Sequence, residues 1–279
     1  MPAASHRVWQ LAWPNILSNL LFTTVGFMHI KIVAELGTSS VAAVTTGHRV
    51  FFLIQAIFMG VSVASTALVA RSWGAKQQHQ AEMVAWTSVV LSGSLAALLS
   101  IPVVLFPESI AGLFGLDAKT TMLAASFIFY LGLFTIFTTT SMMLSTALRA
   151  TGDVITPLWF LFFSSMLNIL FAYLLAYGIG PFPTMGVAGV ALGGSGASLF
   201  ITCLFVLFWW RGKFALKAVK RLRVDRTVAR QLISIAAPAI LEQAIVQLSF
   251  LVFFAIIARY GTEPYAAYGI GISLVSFSI

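Results

Sequence analysis

The 279 residues are 59% hydrophobic and 9% charged, with a mean hydropathy of +0.98. A soluble domain carries roughly 25% charged residues, so this chain cannot cover a water-facing surface, and that argues against a soluble enzyme. The net charge of +8 suggests nucleic acid only until the basic residues are located: eight of the sixteen fall between Arg211 and Arg230, beside an apolar run, so the expected partner is the lipid bilayer.

A helical span needs about 20 mostly apolar residues. Seven complete spans are predicted, and an eighth begins. The first covers residues 8–33 and contains Pro14. The stretch before it, Met1 to Arg7, lacks the charged start and short apolar core of a cleaved signal, so this helix is expected to stay in the mature protein. The second span, 50–70, ends at the polar connector Gly74-Ala75-Lys76-Gln77. The third, 83–106, stops at Phe106-Pro107-Glu108, which opens a short amphipathic segment over 109–116. The fourth covers 121–146. Thr151-Gly152-Asp153 then leads to the fifth, 157–177, and a Gly/Pro-rich connector over 178–183 leads to the sixth, 187–210. The single cysteine, Cys203, lies in that apolar run, so there is no internal disulfide and no cysteine-based metal site. It reads as a small hydrophobe facing lipid or a neighbouring helix. A basic linker covers 211–230, the seventh span covers 232–258, and the eighth starts near Tyr265.

Lys and Arg concentrate on the cytoplasmic side of a membrane. With the N-terminus inside, the inside segments hold Arg7, Arg71, Lys76, Arg149 and the eight linker residues, which makes twelve. Lys119 is the one clear outside case, and Lys31, Arg49 and Arg259 lie at span ends. Twelve against at most four places the N-terminus in the cytoplasm. Trp9, Trp13, Trp209 and Trp210 then sit at inner span ends, where interfacial Trp is expected.

The seventh span repeats the first. Trp13-Pro14-Asn15-Ile16-Leu17 aligns with Ala237-Pro238-Ala239-Ile240-Leu241 at an offset of 224. Without a gap, the same offset pairs Gly37-Thr38 with Gly261-Thr262 and Ala42-Ala43 with Ala266-Ala267. Six spans separate the two prolines, so the copies run parallel, which is one of the two standard plans of secondary transporters. The expected organisation is a six-helix lobe over 1–210, the cytoplasmic linker over 211–230, and an incomplete second lobe over 231–279. On this reading the parent has twelve spans and this chain is a truncated form.

The order of these motifs resembles the multidrug and toxic compound extrusion (MATE) antiporters, whose superfamily also contains lipid-linked oligosaccharide flippases. The residues that carry the resemblance begin with Pro14, Leu36-Gly37 and Ala42-Ala43, followed by Ala70-Arg71-Ser72-Trp73-Gly74-Ala75. Leu148-Arg149-Ala150-Thr151-Gly152-Asp153, Asn168-Ile169-Leu170, the run from Met185 to Leu192, and Pro238-Ala239-Ile240-Leu241-Glu242-Gln243 complete them. The resemblance implies an all-α fold of two six-helix lobes, functional as a monomer. It implies export of organic cations and drugs from the bacterial cytoplasm across the inner membrane, in exchange for Na⁺ or H⁺. No other cofactor is implied. Relatives carry an Asp where His29 stands and another where Ala172 stands, so the first lobe lacks the expected carboxylates.

Ionisable groups at membrane depth are functional candidates by default. Glu242 lies one turn past Pro238, and the proline frees a backbone carbonyl and bends the helix. A carboxylate there can exchange a proton or pair with a cationic drug; alternatively it reaches cytoplasmic water or bonds to a neighbouring helix. His29 lies about 22 Å up the first helix from Pro14 at ~1.5 Å per residue. It either replaces the missing Asp in proton coupling or faces a water-filled cleft as a polar group. Lys31 is expected to snorkel to the outer interface. Asn19, Asn168, Gln55 and Gln243 either line the cavity or bond across helices. Met59, Met142, Met143 and Phe134 form a soft binding wall or ordinary packing. Gly193-Gly194-Ser195-Gly196 lacks the lysine of a phosphate loop and reads as close helix packing. His6, His29, His48 and His79 show no metal spacing, and no catalytic pair for an intramembrane enzyme stands out. The expected function is therefore drug or organic-cation efflux, with a flippase or an inactive fragment as alternatives. One lobe offers one wall of a cavity, so the chain alone is not expected to transport.

Overall fold

Three aspartates begin helices in this protein. Asp117 accepts from the Thr120 amide at 3.2 Å, Asp153 from the Thr156 amide at 3.0 Å, and Asp225 from the Thr227 amide at 2.7 Å. Each satisfies donors that the first helical turn leaves without a partner. The structure, a computed structural model, describes residues 2–218 and 224–258, with side chains described over 12–218 and 224–249.

Among the described residues the elements are α1 (Pro2–Ala34), α2 (Thr38–Gly74), α3 (Gln78–Leu105), the short α4 (Pro107–Gly112), α5 (Ala118–Ala150), α6 (Ile155–Tyr177), α7 (Gly186–Trp210) and α8 (Arg226–Ala258). All but α4 are long and apolar enough to cross a membrane. The chain is an all-α, multi-pass membrane protein. The predicted eighth span, and Lys220, Arg221 and Arg223 of the linker, lie outside the described residues.

Two boundaries move for a physical reason. α2 begins at Thr38, twelve residues before the predicted start. Its first turns bury Ser40, Ala43, Val44 and Thr46, so they pack on protein, where hydropathy does not mark the helix. Arg49 therefore lies inside a helix rather than at a span end. α8 starts at Arg226 because Asp225 caps it, which moves Arg226 and Arg230 from the linker onto the helix. The segment predicted over 109–116 is the single helix α4, and the chain leaves it through Gly115 at φ +67. Trp209 is 2% exposed and packs against Trp86 at 5.8 Å, so it belongs to the interior rather than the lipid interface; Trp210, 65% exposed, fits the interfacial role.

The helices alternate in direction, so one end of the bundle gathers the C-termini of α2, α5 and α7 with the N-termini of α3, α6 and α8. α6 and α7 pack most extensively, followed by α2 with α5 and α2 with α8. At α6–α7 the small residues make the contact. A Cβ on Gly189 would lie 2.5 Å from the Leu175 carbonyl oxygen, and one on Gly193 would lie 2.5 Å from the Phe171 carbonyl carbon. The glycine run is a packing seam, and Phe160 stacks on Phe205 at 4.1 Å further along it. One apolar cluster joins Val33, Val44, Phe127, Ala172 and Val190 toward the α1–α2 connection. A second joins Phe58, Leu68, Val84, Met143 and Leu232 toward the other end.

α1 contains Pro14 and α8 contains Pro238, the pair that the offset of 224 aligns. α8 lies antiparallel on α2, where a Cβ on Gly60 would come within 2.6 Å of the Ile240 nitrogen.

Candidate functional site

The connection between α1 and α2 is three residues long, so the end of α1 and the start of α2 are held side by side. His29, five residues before the end of α1, meets His48, ten residues into α2. Their rings stack with centroids 5.7 Å apart and an interplanar angle of 13°. Phe127 of α5 closes the far side of His48 edge-on at 5.4 Å. α6 supplies the polar partner: His29 Nε2 lies 2.6 Å from Asn168 Oδ1. Asn168 fits there because α7 presents Gly194, where a Cβ would sit 2.9 Å from the Asn168 amide nitrogen.

This geometry fixes the chemistry of the ring. An amide oxygen only accepts, so the hydrogen between the two atoms belongs to His29 Nε2. In the neutral imidazole, Nδ1 then carries the lone pair. Nδ1 is buried and has no partner. His29 is 6% exposed, whereas His48 is half-buried. Ala172, one turn past Asn168, is fully buried beside the Gly193 seam. No Asp or Glu lies within α1, α2, α5, α6 or α7.

Beyond His29 and Asn168, the remaining candidates do not join this cluster. Gln55 Nε2 donates to Met142 Sδ at 3.2 Å, between α2 and α5. Asn19 is exposed on α1, and its carbonyl accepts from the Thr23 hydroxyl at 2.9 Å. Pro14 is buried. Near it Arg149 donates to Asn15 Oδ1 at 3.3 Å and to Ser18 Oγ at 3.2 Å. On α8 the packed face carries Val228, Leu232, Ala236 and Ile240, and continues through the half-buried Gln243; Glu242 and Pro238 are exposed beside it. Met143 is fully buried core, and Met59 is 44% exposed. Among the described residues, no group of three or more His, Cys, Asp or Glu is placed to hold a metal ion. Sequence spacing missed His48 as the partner of His29. The signal available was the short connection, which keeps both rings within three helical turns of the same end.

Known proteins match this chain along most of its length. It is 26% identical over 269 residues to the probable multidrug resistance protein YoeA of Bacillus subtilis, covering 95% of this chain and 58% of that protein. It is 26% identical over 273 residues to the FAD transporter of Shewanella oneidensis, covering 95% and 59%. The probable multidrug resistance protein NorM of Thermotoga maritima is 25% identical over 291 residues, covering 100% and 60%. The chain thus spans about three fifths of the length of these curated relatives. Among solved structures, a MOP superfamily transporter from Pyrococcus furiosus superposes with a TM-score of 0.86 at 20% identity, covering 97% of this chain and 61% of that one. The Vibrio cholerae MATE transporter VcmN in the bent form gives 0.85 at 18%, covering 99% and 64%. At these identities the likeness is one of fold. The MatE family profile matches residues 14–174, more than half of the chain, and with that match the chain belongs to the MatE family of membrane proteins.

Proposed function

We propose that this chain forms the first lobe of a secondary transporter that exports organic cations in exchange for protons, with His29 taking the coupling proton. The observation that carries this reading is the buried, unpartnered Nδ1 of His29, set by the bond from Nε2 to Asn168. A hard cation such as Na⁺ favours oxygen ligands, carboxylates above all, and the five helices around His29 supply no carboxylate. Two unit charges 5.7 Å apart repel by about 3 kcal/mol at an effective dielectric of about 20. The stacked pair therefore holds a single proton. The same repulsion acts between protonated His29 and a cationic drug, which makes loading of the two mutually exclusive, the requirement of antiport. Alternating access needs a second body for this lobe to rock against, and the offset of 224 puts the start of that body at α8. On this reading the working protein is a two-lobed monomer in the bacterial inner membrane. Its N-terminus and linker face the cytoplasm.

The test uses a two-lobed protein that contains this chain, reconstituted in liposomes. A pH gradient in Na⁺-free buffer should drive ethidium transport, and His29→Ala should abolish the dependence on that gradient. Transport that needs Na⁺, or that keeps its pH dependence in His29→Ala, overturns the reading. A second reading, an anionic cargo of the flippase type, is favoured by one observation: α1, α2, α5, α6 and α7 contain Arg7, Lys31, Arg49, Arg71, Lys119 and Arg149 but no acid. Uptake of a lipid-linked phosphate in place of ethidium in the same liposomes would select it.

A further inference from the structure

At the end of the bundle away from the histidine pair, the α2–α3 turn and the first turns of α8 enclose a cavity of about 250 Å³. Its polar wall is Arg71 and Ser72 of α2, Gln77 and Gln80 at the turn into α3, and Gln231 of α8. Leu68 and Val84 form an apolar floor that continues into the core beneath. The lining holds a cation, three amides and a hydroxyl, and no acid. The two acids nearest in sequence are already engaged. Glu82 Oε1 accepts the Lys217 amide at 3.2 Å, and Asp225 caps α8. The rim adds positive charge: Lys76 lies in the same turn, and Arg230 precedes Gln231.

We infer that this cavity binds a phosphate group, carried by an anionic phospholipid headgroup or by a soluble phosphate ester. Arg presents a fork of N–H donors that matches phosphate oxygens. Three amide side chains and a hydroxyl add donors on the other sides. The cavity lies where three membrane helices end, on the face that gathers the basic linker, and basic pockets between helices at that depth suit lipid headgroups. Its wall is shared between α2, α3 and α8, so a bound phosphate ties α8 to the first lobe. This site is independent of the coupling ion and of the drug.

The test uses the purified chain in nanodiscs of phosphatidylcholine containing increasing phosphatidylglycerol, with retained lipid counted by native mass spectrometry. A phosphatidylglycerol molecule should be retained in preference to phosphatidylcholine. Arg71→Gln should weaken that retention by about tenfold, the scale of a lost charge-assisted contact. Gln231→Leu, at an exposed position, should weaken it less, and Arg71→Lys should restore part of it. A linker variant, Lys213→Gln with Lys217→Gln, controls for general attraction to the basic surface and should retain the lipid. A parallel titration with inorganic phosphate, read as a thermal shift, separates the sources. An Arg71-dependent shift that phosphatidylglycerol does not pre-empt assigns the site to a soluble phosphate; pre-emption assigns it to lipid. Equal retention in wild type, Arg71→Gln and Gln231→Leu, or a loss as large in the linker variant, overturns the proposal.

Discussion

The chain has eight acids, and seven of them lie among the described residues. Asp117, Asp153 and Asp225 are spent on helix N-termini, outside the apolar spans. The Asp117 carboxyl is held below the usual carboxylate range by the Thr120 hydroxyl and then by the Thr120 amide. A lowered folded-state value means the contribution is fully present above the unfolded value of ~3.9 and is lost as pH falls through the folded value. The midpoint of thermal unfolding should therefore be lower in Asp117→Ala than in wild type at neutral pH, and the difference should vanish in strong acid. Glu82 lies in the second turn of α3; Glu242, sixteen residues into α8, is the acid set deepest in a membrane-length helix among the described residues. Its exposure leaves it free for the second lobe or for substrate. Glu242→Gln in a two-lobed protein that contains this chain should reduce efflux of cationic drugs without moving its pH dependence, measured as transport rate against pH. The pairing of His29 with Asn168 was only half legible in the sequence. Both residues stand out as polar groups in spans, but spacing cannot say that two helices 139 residues apart in the chain meet at those atoms.

Helix packing depends on small residues at two seams. At α6–α7, Gly193 lies against the α6 backbone, which cannot yield as a side-chain end can. Gly193→Val should cost about 1–3 kcal/mol from overpacking, read as a lower unfolding midpoint with the helix content unchanged. It should also displace Asn168 from His29, since Gly194 is the next residue on that seam. At α2–α8, Gly60 admits the Ile240 backbone. Gly60→Leu should separate the two helices, seen as a longer distance between spin labels placed on Leu53 and Leu248, both exposed. Elements facing lipid were legible because lipid imposes a long apolar run. The start of α2 was not, because its first turns face protein, and there Ser40 and Thr46 are buried along with Ala43 and Val44. The start of α8 was partly legible: Asp225 followed by Arg226-Thr227 is capping chemistry, but it sits in a run of charge that reads as linker.

At the scale of the molecule, the repeat offset carried the most information. It predicted a membrane-length helix with an internal proline after the linker, and α8 with Pro238 is such a helix. The same register sets the histidine pair on α1 and α2 and Glu242 on α8. Proton coupling then requires that loading one site disfavours the other, and linkage makes that effect reciprocal. On the proposed function, binding of a cationic drug to a two-lobed protein that contains this chain must therefore release a proton. The most direct measurement is titration calorimetry of ethidium binding in buffers of different ionisation enthalpy, which counts protons released per drug bound. The account predicts about one proton released in wild type and about none in His29→Ala, as the linkage requires. Equal release from the two proteins, or release from neither with binding that responds to Na⁺ instead, would contradict it.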